Sequence, residues 1–512
     1  MDTRPIPADR PGRARDAFGG VVATGLALGV AELLAGFVAR AASPVVAVGD
    51  AVVDRVPVWL KNAAIALFGT GDKVALIIGV LLVCALIGAV AGIVARRRLA
   101  AAVAIFVAFG VLGVAAAGGD PRTTMAATAA VLAVAVAVGV GLLWLLLRPA
   151  PAAAGSPGGR RQFLRLAGVG VVAAFAAAGM GRAMRRRSVA DLSREQLALP
   201  AVDTAAPPLP SGTDLGVAGL EPFATPSESF YRIDTALSVP RVDVASWRLR
   251  VTGMVDRPLN WSFADLVDQG LQEQWTTLCC VSNEVGGRLV GNARWSGVPL
   301  RKVLDLAGVQ LAATQIVGRS VDGWTAGFPT AAAYDGRDAI IAVEMNGKPL
   351  PVEHGFPARL VVPGLYGYVS ATKWLSDIQL TTLEDFDGYW IPRGWSKEAP
   401  IKTASRIDVP RSGTVDAGRV AVAGVAWAQG RGIDRVEVQV DDGPWSQARL
   451  GSVPNVDTWR QWVWEWDAAP GSHVLQVRAT DAAGETQAEQ RRPVMPDGAT
   501  GFHRVVIQVR NP

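Results

Sequence analysis

Histidine is scarce in this chain. Only three occur in 512 residues, His354, His473 and His503, and none precedes residue 354. Paired histidine ligands for a haem are therefore excluded from everything before that point, and no haem is expected. A His-rich zinc or di-iron centre likewise has too few ligands. Cysteine is equally sparse, with Cys84, Cys279 and Cys280 the complete set. Three thiols build no disulfide framework. The adjacent pair makes a poor staple, because bridging neighbours strains the intervening peptide and closes no loop. Charge is thin as well: 19% of residues are charged against 50% hydrophobic, with a net charge of +5. The arginines stand beside apolar runs rather than among aromatics, which argues against a nucleic-acid partner. What remains, with a positive mean hydropathy, is the composition of a chain with membrane segments. It is also too long for a single core.

Apolar runs fall at roughly 18–40, 74–95, 99–118, 124–147 and 163–181, each close to the ~20 residues that cross a bilayer as a helix. The stretch 42–70 is apolar too, but Asp50, Asp54, Arg55, Pro57 and Lys61 interrupt it. It reads as an interfacial or lumenal segment, with a partial span as the alternative. Arg96, Arg97 and Arg98 lie between the second and third runs, and Arg148, Arg160 and Arg161 between the fourth and fifth. With the N-terminus inside, five spans place these clusters inside and everything after residue 182 outside. Arg182, Arg185, Arg186 and Arg187 break that rule on the outer side. The expectation is a multi-pass protein of a bacterial cytoplasmic membrane, surrounded by lipid, with its later domains on the periplasmic or extracellular face. Gly159-Arg160-Arg161-Gln162-Phe163-Leu164-Arg165 before an apolar run looks like an internal twin-arginine export signal. An ordinary positive-inside flank is the plainer alternative. Five spans exceed what an anchor requires, and a direct electron route to quinone is the other reading.

Residues 183–228 are rich in Pro, Ala, Ser and charge, including Ala206-Pro207-Pro208-Leu209-Pro210, and predict an extended linker. Strand-like alternation resumes at Trp247-Arg248-Leu249-Arg250-Val251. Leu300, Val303, Leu304, Leu306 and Ala307 have helical spacing, with Gly308 placed to end the helix. Asn346-Gly347 marks a hairpin. From about residue 404 short alternating runs predict an antiparallel sandwich. Trp462, Trp464 and Trp466 share one face there and should fill its core.

The chemistry concentrates between Trp275 and Leu300. Cys279 and Cys280 close a strand-like run and precede a polar, glycine-rich loop, where backbone can approach a ligand closely. A soft thiolate in that position suits a redox metal. The bland alternative is two small buried hydrophobes. Phe230-Tyr231-Arg232 could similarly be a surface cation–π group, and His354 a loop histidine.

Thr277-Leu278-Cys279-Cys280-Val281-Ser282-Asn283, followed by Gly291-Asn292-Ala293-Arg294-Trp295-Ser296-Gly297-Val298-Pro299-Leu300, resembles the cofactor-binding core of the sulfite-oxidase family of molybdopterin enzymes. His354-Gly355-Phe356-Pro357-Ala358-Arg359-Leu360-Val361-Val362-Pro363-Gly364 with Lys373-Trp374 resembles that family's His-Gly-x-Pro-x-Arg element. The resemblance implies that Cys280 ligates molybdenum and that the cofactor is molybdenum-molybdopterin. It implies a cofactor-binding set of Phe230, Tyr231, Arg232, Asp234, Cys280, Asn283, His354, Arg359, Ser370, Thr372 and Lys373. Arg431-Gly432-Ile433-Asp434-Arg435-Val436-Glu437-Val438 resembles the immunoglobulin-like domain that follows in the family and often mediates dimers, so residues 404–512 are a candidate homodimer interface.

Two departures bear on the substrate. The family's arginine pair after the Cys-x-x-Asn element matches Glu284-Val285 here, and its metal-proximal tyrosine falls at Trp324. A carboxylate should repel a small dianion such as sulfite. Asp322, Trp324 and Glu284 are accordingly the candidates for shaping the catalytic pocket around Cys280, with an S-oxide or N-oxide as the favoured small-molecule substrate. A separate electron donor or acceptor, quinone or a redox protein, is implied. The expected order is an α-helical transmembrane bundle (1–182), the linker (183–228), an α+β sulfite-oxidase-type molybdopterin domain (229–403) and an all-β immunoglobulin-like sandwich (404–512). A non-catalytic membrane receptor or scaffold reusing this fold is the alternative from another functional class.

Overall fold

A computed structural model describes residues 11–38, 40–57, 60, 67–68, 71–148, 158–186 and 193–511. The chain divides into two compact units, Met1–Ser188 with Ala236–Val239, and Val189–Thr235 with Pro240–Pro512.

The first unit is helical: α1 (Pro11–Phe37), α2 (Pro44–Arg55), α3 (Asp72–Ala95), α4 (Leu99–Ala117), α5 (Met125–Leu147) and α6 (Gly158–Arg186). All except α2 are long and apolar enough to cross a membrane. At 12 residues, α2 reaches only about 18 Å at 1.5 Å per residue, short of the hydrocarbon thickness. Part of the remaining 42–70 stretch lies outside the described residues. α1 is the central helix, packed on α3, α5 and α6. The contacts depend on small residues. A methyl group on Gly20 would overlap the backbone of Gly88, and one on Gly92 would overlap Asp16. Gly29 meets Ala174 and Gly181 meets Glu32 in the same way. In a bilayer, helices of this kind would have no water to expel from one another, and close backbone approach would supply the attraction. The twin-arginine-like motif opens α6.

In the second unit, ten strands form two sheets. They are β1 (Leu249–Gly253), β2 (Leu259–Trp261), β3 (Gln272–Cys279), β4 (Val290–Pro299), β5 (Gln315–Ser320), β6 (Thr325–Pro329), β7 (Ile340–Met345), β8 (Lys348–Pro349), β9 (Arg359–Val361) and β10 (Leu375–Thr381). One sheet runs β2-β1-β10-β5-β6; the other runs β3-β4-β7-β8, with β9 also on β7. Leu249, Val251, Val298, Leu304, Ile316, Ile341 and Leu360 belong to their shared core. The helix Leu300–Ala307 ends at Gly308, which takes φ 70° as its left-handed cap.

Beyond residue 403 the chain is all β. A four-stranded sheet combines β11 (Ala404–Val409), β13 (Gly418–Trp427), β16 (Arg449–Leu450) and β17 (Arg460–Ala468). A five-stranded sheet combines β12 (Gly413–Asp416), β14 (Ile433–Val440), β15 (Ser446–Gln447), β18 (Gly471–Asp481) and β19 (His503–Arg510). Trp462 and Trp466 are buried between residues of both sheets, and Trp464 packs against them partly buried.

The linker expectation is corrected. Described residues from 193 to 228 are not an extended tether but pack on the second unit. Arg194 donates to the carbonyls of Pro349 and Leu350 at 3.0 and 2.7 Å, and Thr204 bridges Gln272 in parallel. Phe223 is buried in the core, with Leu197, Leu199 and Val202 against it. Proline and alanine exclude regular elements, but they do not prevent an irregular chain from burying its few large apolar groups.

Strand β3 is held from three directions. The Thr277 hydroxyl donates to Asn292 Oδ1 (3.0 Å) and accepts from the Trp459 amide (2.7 Å). Asn292 in turn donates to the Phe223 carbonyl (2.9 Å). The loop after Cys280 is fixed by buried Arg406, which donates to the Gly287 carbonyl (2.8 Å) and pairs with Asp408 (2.7 Å). His503 abuts Gly286, and its Nδ1 accepts from the Ile407 amide (3.0 Å).

Thr277→Val should keep the shape and orphan two buried partners, destabilising the second unit by about 2–4 kcal/mol, measurable as a lower denaturant midpoint. Burial, with Arg406 second, pushes His503 down to about 4. The unfolded chain binds this proton near pH 6.5 and the folded one does not, so stability should fall as pH drops from about 6.5 to about 4. His503→Gln should flatten that slope, read from unfolding midpoints across the window.

Candidate functional site

Cys280 is the first residue past β3, its amide bonded to the Leu289 carbonyl at 2.9 Å. Successive residues of an extended chain point to opposite faces, and the two cysteines separate accordingly. Cys280 lines a cavity of about 140 Å³. Cys279 lines a different cleft of about 560 Å³, walled on its far side by residues beyond 397. Both thiols are free and buried, and burial pushes both above the usual thiol range. Backbone and hydroxyl of Ser282 oppose that shift at Cys280. A metal binding there must displace the proton.

Phe230, Tyr231, Asp234, His354, Arg359 and Lys373 converge on the Cys280 cavity from four separate segments. Arg359, from β9, is buried and donates to the carbonyls of His354 (3.2 Å) and Leu360 (3.4 Å), with its guanidinium 5.1 Å from the Trp295 ring. No carboxylate pairs with it among the described residues. Burial lowers its pKa to about 10, which still leaves it charged at neutral pH. Lys373 pairs with Asp234 at 2.8 Å, and burial lowers it to about 8 despite that partner. His354 donates from Nε2 to the Ser227 carbonyl (3.0 Å) and is driven down to about 4 by burial, then by Arg359. It is neutral at pH 7. Burial, and then the two cysteines, hold the Tyr231 phenol well above its ordinary value. Ser320 Oγ, also lining the cavity, is buried without a hydrogen-bond partner among the described residues.

A buried cation without a counter-ion and an orphaned hydroxyl are costly unless an anion completes them. Among the described residues, no group of three His, Cys, Asp or Glu side chains could hold a metal by itself. A metal at Cys280 would therefore draw further ligands from a non-protein group. One soft thiol, two cations and a free hydroxyl fit an anionic cofactor that carries its own sulfurs and phosphate.

Not every expected residue faces this cavity. Arg232 is exposed and folded back on Asp234 at 2.8 Å. Asn283 spends its side chain on the loop, accepting from the Leu289 amide at 2.8 Å. Ser370 donates back to the carbonyls of Leu365 and Tyr366 within its own turn. Thr372 is fully buried with its hydroxyl unpartnered, against Gly318. Glu284 is corrected as a pocket residue. Asn283 bonds back to Cys280 (3.0 Å) and Gly287 to Glu284 (2.8 Å), so the loop reverses and Glu284 lines the cleft of Cys279. Asp322 and Trp324 do line the Cys280 cavity, and the Asp322 carboxylate accepts from the Trp324 amide at 3.2 Å.

Tyr368, Trp374, Trp390 and Trp395 also line it and are additions to the expected set. Trp390 and Trp395 come from a segment without strand or helix periodicity, so only their density in Tyr389-Trp390-Ile391-Pro392-Arg393-Gly394-Trp395 could have drawn attention.

A family model described as an oxidoreductase molybdopterin-binding domain matches residues 236–390. The chain is 32% identical over 327 residues to "Sulfite oxidase" of Gallus gallus, covering 54% of this chain and 70% of that protein. It is 31% identical over 343 residues to "Sulfite oxidase, mitochondrial" of Homo sapiens, covering 56% of this chain and 62% of the human protein's length. "Uncharacterized oxidoreductase YuiH" of Bacillus subtilis (strain 168) is 35% identical over 153 residues, 30% of this chain and 74% of that protein.

Arg359→Met should retain apolar volume and lose the unpaired cation. Charge-assisted bonds of about 1.5–3 kcal/mol translate to roughly 10–100-fold weaker retention of an anionic pterin, read as molybdenum and pterin per protein after purification.

Proposed function

Because the chain belongs to the sulfite oxidase family of molybdopterin-binding oxidoreductases, we propose that it is a membrane-anchored enzyme reducing a small S-oxide or N-oxide by two-electron oxygen-atom transfer. The observation that carries this reading is the Cys280 thiol in one cavity with Arg359 and Lys373. In this reading Cys280 is the protein's ligand to molybdenum. Arg359, Lys373 and His354 hold the anionic and polar groups of the pterin, and Ser320 offers it one more hydroxyl.

When bound, the cofactor supplies the redox chemistry. The chain supplies orientation and charge. Neutral His354 has its ring fixed by its bond to Ser227. Tyr231 stays protonated beside Cys280 and can hold a proton for the oxygen that leaves as water. The balance is one oxide, two electrons and two protons giving the reduced substrate and water, with quinone or a separate redox protein as the electron source. Asp322 forms no ion pair among the described residues and lines the cavity beside Trp324. A second negative charge there would be repelled. That supports a neutral or cationic substrate over a dianion, with no contribution from Glu284, which lines the other cleft.

The five apolar helices support a multi-pass anchor. The arginine distribution supports a catalytic unit outside the cytoplasm, exported already folded through the motif at Arg160 and Arg161. Residues 404–512, two sheets sharing one core, are read as an immunoglobulin-like sandwich and a homodimer surface.

Elemental analysis of protein purified from membranes tests the reading. Near-stoichiometric molybdenum is expected, with Cys280→Ser inactive in a dye-linked oxide-reduction assay. A molybdenum-free product from a host that makes the cofactor would overturn it and favour a non-catalytic receptor.

A further inference from the structure

The wall of the Cys280 cavity carries more aromatic surface than a pterin site of cations and hydroxyls requires. Tyr368 and Trp395 stand 5.6 Å apart at 49°, and Trp395 and Trp390 6.4 Å apart at 77°. These rings and Trp324 all line the cavity. Trp324, Trp390 and Trp395 are only half-buried, so they are not sealed into the core, and no protein acceptor takes their indole N–H groups among the described residues. Inclined rings at this spacing give one small volume an aromatic wall, the kind of surface that attracts a soft cation. The same segment already holds a cation in this way, with the Arg393 guanidinium 3.7 Å from the Tyr389 ring centre. Asp322 lines the cavity too, and among the described residues no cation pairs with its carboxylate.

The cations of the cavity sit elsewhere in its wall. Lys373 is paired with Asp234, and Arg359 lies over Trp295. Both are committed to the anionic cofactor in the reading above, on which this inference rests. That leaves the aromatic rings and Asp322 facing the substrate.

We infer that Trp324, Tyr368, Trp390, Trp395 and Asp322 form a recognition site for an alkylated, positively charged nitrogen, and that the favoured substrate class is therefore tertiary amine N-oxides rather than sulfoxides. The nitrogen of an amine N-oxide is positively charged, bears three alkyl groups and has no lone pair, the shape of a quaternary ammonium, whereas sulfoxide sulfur bears two alkyl groups and keeps a lone pair. Reduction breaks the N–O bond. Two electrons from the redox partner and two protons release water, and the amine formed takes up a further proton from solvent to become another cation of matching shape.

The test is binding to the full-length holoenzyme, with choline against its neutral carbon isostere 3,3-dimethylbutan-1-ol, followed by calorimetry. Choline should bind at least roughly tenfold tighter than the isostere and should compete with trimethylamine N-oxide in the dye-linked assay. Trp395→Leu should remove that preference and Asp322→Asn should weaken it several-fold, with molybdenum content unchanged in both. Equal binding of choline and isostere overturns the inference, as does a choline preference that survives both substitutions. Binding is read without turnover, so the two proposals fail separately. A molybdenum-free protein that still selects choline defeats the oxidoreductase reading and supports the recognition site. A molybdenum-loaded enzyme that reduces dimethyl sulfoxide without selecting choline does the reverse.

Discussion

The second unit depends on one buried hydrogen-bond node, the Thr277 hydroxyl between Asn292 and the Trp459 amide. Thr277 and Asn292 are fully buried and directly opposed in the β3–β4 register. Through them the strand that leads into Cys280 is tied to the incoming segment at Phe223 and to the all-β region at Trp459. In a low-dielectric interior such bonds are strong when complete and costly when broken. Two motif residues that look like cofactor ligands by their company therefore serve the thiol indirectly. They fix where it stands.

Around that fixed thiol the charge balance is deliberately incomplete. Arg359 is buried with no carboxylate partner among the described residues, while Lys373 has Asp234. Without an anion, such an arrangement taxes the fold; with one, binding energy becomes folding energy. The directions of the shifts follow from this single cause. Burial lowers Arg359, Lys373 and His354 and raises Cys280 and Tyr231, because each group resists its charged form when it is removed from bulk water. A cofactor of opposite charge would reverse several of them.

With the first unit in a bilayer, as proposed, the two units solve packing differently. In the second, Leu, Val, Ile and Trp are removed from water and the core is large. Apolar helices in a bilayer gain nothing from leaving water, and there glycine contacts such as Gly20 on Gly88 bring backbones together instead.

The sequence by itself determined the apolar helices, whose ends agree with the runs to within a few residues except at the N-terminal end of α1 and of α6 and at the C-terminal end of α6. It also determined the β character of the C-terminal region, the placement of Trp462, Trp464 and Trp466 on one face, and the thiol at a strand end. Periodicity and spacing are local, and these features are local. Tertiary structure alone decided which neighbours meet. It turned Glu284 away from Cys280 because two backbone bonds reverse the loop. It folded Arg232 back on Asp234, packed the proline-rich segment onto the core, and brought Trp390 and Trp395 to a cavity more than 100 residues from Cys280 in sequence. Side-chain direction past a turn is set by contacts with distant segments, and nothing in the local pattern encodes those contacts.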